Sequence, residues 1–424
     1  MSDPNRPHVL AECPDVSREL LRRVAADYGR DAPVGSLTDH IEDSYGLDLS
    51  TEYAGYCIRN PWGKASGQLS MTAHQVAEDI DAELGFVVLK TVIAQDESGT
   101  QMMRDWAIKE SRMLAEPISG QSGETGWTIS WKGRGWWLSF SEYLELIRQS
   151  RRLARDSRTL IVPSCKYHLP TAAESSWNID EYVFTTRELL KAWHSEDFAD
   201  DGPMPLEKDF SPTLAGSDRA SAETQILEWL TTVPRLIREA TPANDSIRLG
   251  LKVFNTLFDD DFQLAMLKTI HEADENRPAF HVYGNRLFDP NREFEGHHGI
   301  AYGGPDLSDR NLRVMTQFQT DHRDGKIGGQ LIPWSATGNI VTGKMALEYA
   351  LRGAASFQLH TFFQLPSRQY SLKTGSKIQK ALHELYFHPS TGLIVWMHHL
   401  ARQLDLDSSP IRFGDIVGMS ELNN

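Results

Sequence analysis

Chemistry-bearing residues cluster in a few short stretches of this 424-residue chain. Ser335-Ala-Thr-Gly-Asn-Ile-Val-Thr-Gly343 reads as a turn running into a helix. Main-chain N–H groups of Thr337, Gly338 and Asn339 near a helix N-terminus can cradle a phosphate dianion. His360 and Thr361, at the end of the next apolar run, can close the other side. In Trp131-Lys-Gly-Arg-Gly-Trp-Trp137, Lys132 and Arg134 can clamp a carboxylate or phosphate, and the tryptophans can stack on a ring. An Arg/Trp-rich surface lid is the plain alternative. Cys165 follows the run Arg158–Pro163. Its thiol, with an ordinary pKa of about 8.5, needs modest tuning by adjacent Lys166 or nearby His168 to exchange protons near neutrality. A lone cysteine after a buried strand is more often an inert core residue. Ser164 is its neighbour. Lys90 and Lys252 close two apolar runs, as solvated strand ends or as cations facing a ligand. Gly296-His-His-Gly299, flanked by Glu293 and Glu295, is not read as a metal site, because adjacent histidines on an extended segment point to opposite sides.

The elements that must position these groups alternate in type. Thr72–Leu84 predicts a helix and Gly85–Val92 a buried strand. A second strand covers Arg158–Pro163, followed by a helix around Glu181–Trp193. Ile226, Trp229, Leu230, Val233 and Ile237 recur at helical spacing, with Pro234 expected to kink or interrupt that helix. Arg248–Phe254 predicts a strand, the segment carrying Phe262 to Ile270 a helix, and Ala279–Tyr283, Gly328–Trp334 and Ala355–His360 the later strands, with a helix at Lys344–Arg352. Alternation with nearly continuous apolar strands indicates a parallel sheet covered on both faces. A (β/α)₈ TIM barrel with insertions fits the length, and no GxGxxG favours the doubly wound alternative. Small residues Ala65, Ser66 and Gly67 end the first strand, where tiny side chains let a flat ring lie against the backbone. Residues 1–46 are expected to form an N-terminal helical arm, 47–400 the barrel with an inserted loop near 194–222, and 401–424 a C-terminal tail. The Arg-rich helix Val16–Tyr28 is expected to pack on the barrel rather than touch a membrane.

With 43 basic against 58 acidic residues and a net charge of −15, no basic footprint for nucleic acid is present. Cys13, Cys57 and Cys165 form no CxxC pair, so neither an iron–sulfur cluster nor a zinc site is expected. No run of 18 apolar residues and no leader-like N-terminus is evident, which predicts no transmembrane segment and a cytoplasmic location.

Taken in order, the pieces resemble a family. Asp48-Leu-Ser-Thr-Glu-Tyr-Ala-Gly55, then Ala65-Ser-Gly67, then Gly85-Phe-Val-Val-Leu-Lys90-Thr91 resemble the dihydroorotate dehydrogenase family and its relative, the FMN domain of dihydropyrimidine dehydrogenase. Leu251-Lys252-Val253, Gly284-Asn-Arg-Leu-Phe288, Gly303-Gly304, the 335–343 loop and Gly353–Thr361 follow in the family's order, so the similarity spans roughly residues 47–365. The resemblance implies bound FMN, held by Ala65, Ser66, Gly67, Lys90, Lys252, Gly303, Gly304, Thr337, Gly338, Asn339, His360 and Thr361. It also places Cys165 at the acid–base position, or Ser164 if the match slips by one residue.

Departures from the family pattern carry information too. Asn339 and His360 replace glycines of the phosphate site, the former a mild change because Asn tolerates left-handed φ. The four asparagines that hold the pyrimidine in orotate-handling members correspond to Ser130, Val162, Tyr167 and His281. A site that has lost its hydrogen-bonding partners loses that selectivity. The expected function is therefore an FMN-dependent oxidoreductase acting on a C–C or C=C bond of a small, polar cyclic substrate distinct from dihydroorotate. Ser130, Lys132, Arg134, Tyr167 and His281 are its candidate substrate contacts. Electrons would come from a separate protein partner, NAD(P)H or an organic acceptor, and relatives suggest a homodimer. The rival readings are the dihydroorotate or dihydropyrimidine reaction itself, a flavin-free lyase with a Schiff-base lysine at Lys90 or Lys252, and an idle scaffold.

Overall fold

The computed structural model describes residues 7–30, 35–109, 113–131, 133–171, 173–174, 176–195, 202–406 and 408–419. It is an α/β fold: a central, curled parallel sheet flanked by helices. Trp62–Lys64 pairs with Phe86–Val88, which pairs with Leu160–Val162. Both latter strands break and resume, as Val92–Ile93 beside Ser164–Lys166. Pro163 has no N–H to offer the ladder, and the Tyr143 hydroxyl bridges the break by bonding to the N–H and C=O of Ser164 at 3.0 Å each. Met204–Asp209, Ile247–Phe254, Phe280–Asn285, Trp334–Thr337 and Ala354–Leu359 follow in turn, each parallel to its neighbour. Ala354–Leu359 also pairs with Trp62–Lys64, Phe357 opposite Trp62.

Helices Ala73–Asp81, Phe140–Ala154, Ile179–Trp193, Glu223–Ala240, Asp260–His271, Pro305–Arg323 and Gly343–Leu351 connect these strands. Their starts are written in the sequence: Thr72 with Gln75 and Ser139 with Glu142 form reciprocal capping boxes. Pro234 sits buried inside Glu223–Ala240, which runs through it without interruption. Because Pro234 lies on the packed face, tertiary burial offsets the lost main-chain bond.

Aromatic side chains fill one end of the sheet's interior. The hairpin Thr51–Tyr53/Tyr56–Ile58 stacks Tyr53 on Phe86 at 3.9 Å between centroids and sets it 5.0 Å from Phe280. Gly63 and Gly250 make room: a Cβ on either would sit 2.1–2.2 Å from those phenyl rings. Two further hairpins, Met113–Ser119/Thr125–Trp131 and Leu287–Phe294/His297–Tyr302, stand at the opposite end and touch each other.

Three boundaries differ from the sequence-based expectation. Residues 204–209, read as inserted loop, form a central strand whose Glu207, Lys208 and Asp209 are all buried; their polarity hid it. The strand expected at 328–334 begins at Trp334 and runs to Thr337, since Pro333 cannot donate to the ladder. Within the expected C-terminal tail, the described residues 408–419 join the fold: Ile411–Arg412 pairs in parallel with Leu47–Asp48, and Phe413 is fully buried. The N-terminal helices Arg18–Tyr28 and Leu37–Tyr45 pack on C-terminal structure, with the Tyr28 hydroxyl donating to Glu384 at 2.8 Å. Among the described residues, no helix is long and apolar enough to cross a membrane.

Candidate functional site

Where the strands end beneath the two hairpins lies a cavity of about 400 Å³. It gathers residues far apart in sequence: Ala65, Ser66, Lys90, Arg134, Lys252, Gly303, Gly304, Thr337, Gly338, Asn339, His360 and Thr361 all line it. Gly67 stands just behind the wall. A Cβ there would meet the His360 ring at 2.5 Å, so the glycine is what lets His360 lie where it does.

One wall is the loop after Trp334–Thr337. Gly338 and Asn339 hold φ of +118° and +52°, left-handed values that suit Gly and Asn. The loop's carbonyls are turned inward: Asn311 Nδ2 donates to the Thr337 carbonyl at 3.0 Å and the Tyr349 hydroxyl to that of Gly338 at 3.0 Å. The N–H groups of Gly338, Asn339 and Ile340 find no acceptor among the described residues. Three successive main-chain donors of this kind are able to receive an anion. Gly303 and Gly304 flank them, Gly304 capping the helix Pro305–Arg323.

The floor is a buried polar network. Lys252 Nζ donates to Gln358 Oε1 at 2.8 Å and lies 3.6 Å from Glu207 Oε1. Gln358 Nε2 bonds to both Glu207 and the Tyr53 hydroxyl. From Glu207 a line of hydroxyls leads up to the cavity: Ser164 Oγ at 3.4 Å, Thr91 Oγ1 3.0 Å from Ser164, and Ser66 Oγ 2.6 Å from Thr91. Burial raises the Glu207 carboxyl above its ordinary pKa, and nearby Lys252 opposes that rise.

His360 is pushed down to about 3 by burial first, then by the cations Arg286, Lys90, Lys64 and Lys252. It faces the cavity as a neutral ring whose Nε2 has no partner among the described residues. Trp127, Trp131, Phe288 and Phe294 from the hairpins roof the space. Arg286 stacks 4.5 Å from the Trp131 centroid and donates to Thr128 Oγ1 at 3.1 Å, tying one hairpin to the other.

The sequence matches no family model and no curated protein.

Several expected contacts lie elsewhere. Cys165 does not line the cavity. Successive strand residues face opposite sides; Ser164 and Lys166 take the inner face, which turns Cys165 outward into the core under the helices. There burial pushes its thiol well above the ordinary range, against the pull of Lys208. Tyr167 is likewise sequestered, its hydroxyl 3.0 Å from Thr186 Oγ1 on a flanking helix. His281 is enclosed between His271 and Trp334, and Ser130 is buried within its hairpin. Lys132 lies outside the described residues. Sequence reasoning missed Glu207, Asp209, Gln358, Arg286 and the inner-face role of Lys166. Lys166 carried a usable signal, standing two residues from Ser164 on the same strand. No group of three or more His, Cys, Asp or Glu among the described residues could hold a metal.

Proposed function

We propose that this chain is an FMN-dependent oxidoreductase acting on a C–C or C=C bond of a small polar cyclic substrate, built on a closed (β/α)₈ barrel. The ring of pairings that returns from Ala354–Leu359 to Trp62–Lys64 supports the barrel. The observation that carries the cofactor is the row of N–H groups at Gly338, Asn339 and Ile340, without acceptors among the described residues, in one cavity with Lys90 and Lys252. A nest of amides suits a phosphate dianion, and buried cations beside it suit a ring that gains negative charge on reduction.

FMN, when bound, supplies a two-electron acceptor or donor for such a bond. The residues present fit it. Gly338, Asn339, Ile340 and Thr361 would hold the phosphate, while Ala65 and Ser66 offer a thin wall for the ring. Lys252 is fixed in direction by Gln358 and Glu207 before any ligand arrives. Proton movement falls to the chain Ser66–Thr91–Ser164–Glu207 rather than to Cys165. Ser66 and Thr91 reach the cavity, and Glu207, with its raised pKa, is the buried terminus able to accept or return a proton.

The purified chain is expected to show flavin absorption and to release FMN on denaturation, and Gly338→Val is expected to lose the flavin while remaining folded by circular dichroism. A colourless protein that takes up no added FMN would overturn the proposal.

A further inference from the structure

The cavity has a second cationic station that the cofactor reading does not use. Lys166 ends its strand with its side chain inside the cavity, 2% exposed, and its Nζ has no hydrogen-bond acceptor among the described residues. The nearest carboxylate oxygen, on Asp209, is 3.7 Å away. Arg134 comes to the same place from the Trp131–Trp137 segment. Their charged ends lie 4.7 Å (Lys166 Nζ) and 5.1 Å (Arg134 Cζ) from the centroid of one ring, Trp106.

The chain is shaped to deliver Arg134 there. Its backbone exchanges two 2.9 Å hydrogen bonds with Ile108, and Trp136 N–H donates to the Thr91 carbonyl at 2.7 Å. Gly135 turns at φ +55°, and a Cβ on it would sit 2.4 Å from the Trp106 carbonyl oxygen. The glycine between Arg134 and Trp136 is thus required for the close approach that brings the guanidinium over Trp106.

A buried ammonium without an acceptor is costly unless a ligand supplies one. Asp209 lies 3.7 Å from Lys166 and Asp105 acts on Arg134 from farther off, yet among the described residues neither carboxylate hydrogen-bonds to these two cations, so the station is open to the carboxylate of a ligand. A carboxylate offers the planar pair of oxygens that a guanidinium fork takes in. The station is also remote from the phosphate nest. Counting strand pairings in either direction, Ser164–Lys166 is four removed from Trp334–Thr337, so the two anion sites stand on opposite walls.

We propose that Lys166 and Arg134, converging over Trp106, form the subsite that binds the carboxylate of the substrate, which makes the substrate a small organic carboxylate. This rests on reading the cavity as the active site. The test is calorimetric titration of the purified chain with benzoate and with benzamide, which share shape but not charge. Benzoate binds more tightly to the wild type. Lys166→Met and Arg134→Met each weaken benzoate about tenfold or more, as loss of a charge-assisted hydrogen bond implies, and leave benzamide and FMN content unchanged. Lys166→Arg, which keeps the charge, restores the preference and shows that the pocket still folds. Equal binding of the two probes, or a benzoate preference that survives both Met variants, overturns the proposal. So does a borohydride-stable adduct of Lys166 with a carbonyl compound, which would make it a nucleophile. A flavin-free chain that still discriminates benzoate keeps this subsite and sinks the cofactor; a yellow chain that does not discriminate sinks the subsite alone.

Discussion

At the scale of single residues, the strand Ser164–Lys166 decides which groups reach the cavity. A period of two puts Ser164 and Lys166 on the inner face and Cys165 on the other, so the residue singled out by resemblance is the one the backbone turns away. The distinction was hidden because the sequence alone leaves open whether 164–166 is loop or strand, and Pro163 favours the loop reading. The 335–343 loop was more legible: the Gly338-Asn339 pair suits left-handed φ, and both residues adopt it. Thiol chemistry reports the difference. Cys13 and Cys57 are exposed and Cys165 is buried, so Ellman's reagent should modify the first two in the native chain and Cys165 only after unfolding. Rapid native labelling of Cys165 would place its thiol in the cavity after all.

At the scale of elements, the aromatic and β-branched strands were readable, whereas Met204–Asp209 was not. A strand whose inner face carries Glu207 and Asp209 has the composition of a loop, and only the partners Lys252, Gln358 and Lys166 make its burial tolerable. The two cavity-side hairpins were equally invisible, since their residues alternate weakly and their order depends on cross-hairpin contacts such as Arg286 to Thr128. The helix Asp260–His271 illustrates what burial between elements does to titration. His271 packs against His281 and Phe318, and burial lowers it to about 4. Its folded pKa lies below the ordinary value of about 6.5, so between those values the unfolded chain binds the proton more readily. Stability from this group is therefore complete above about pH 6.5 and is lost as pH falls toward 4. Urea titrations at pH 7 and pH 5 should show His271→Gln losing about 2 kcal/mol less than the wild type over that interval. Equal losses would mean the imidazole is already charged or solvated in the fold.

At the scale of the whole molecule, an early and a late segment of the chain meet. Leu47–Asp48 pairs with Ile411–Arg412, and Phe413 lies 5.9 Å from Phe357, whose strand pairs with Trp62–Lys64. The C-terminal segment thus braces the seam between the first and last strands of the sheet, a role no local pattern in 401–424 announces because Ile411 and Phe413 stand in an otherwise polar stretch. Phe413→Ala should cost about 3 kcal/mol of stability, the toll of a buried ring removed from a packed core. An unchanged urea midpoint would show the segment to be dispensable. Charge is also organised at this scale: a chain of net charge −15 concentrates Lys90, Lys166, Lys252, Arg134 and Arg286 around one cavity.

The central claim is that the main-chain amides of Gly338, Asn339 and Ile340 grip the phosphate of a flavin, and a comparison of FMN with riboflavin isolates that phosphate. Fluorescence-quenching titrations of flavin-stripped protein should give FMN an affinity at least about a hundredfold above that of riboflavin, the difference expected when several charge-assisted hydrogen bonds are lost together. Equal affinities, or no binding of either flavin, would contradict it.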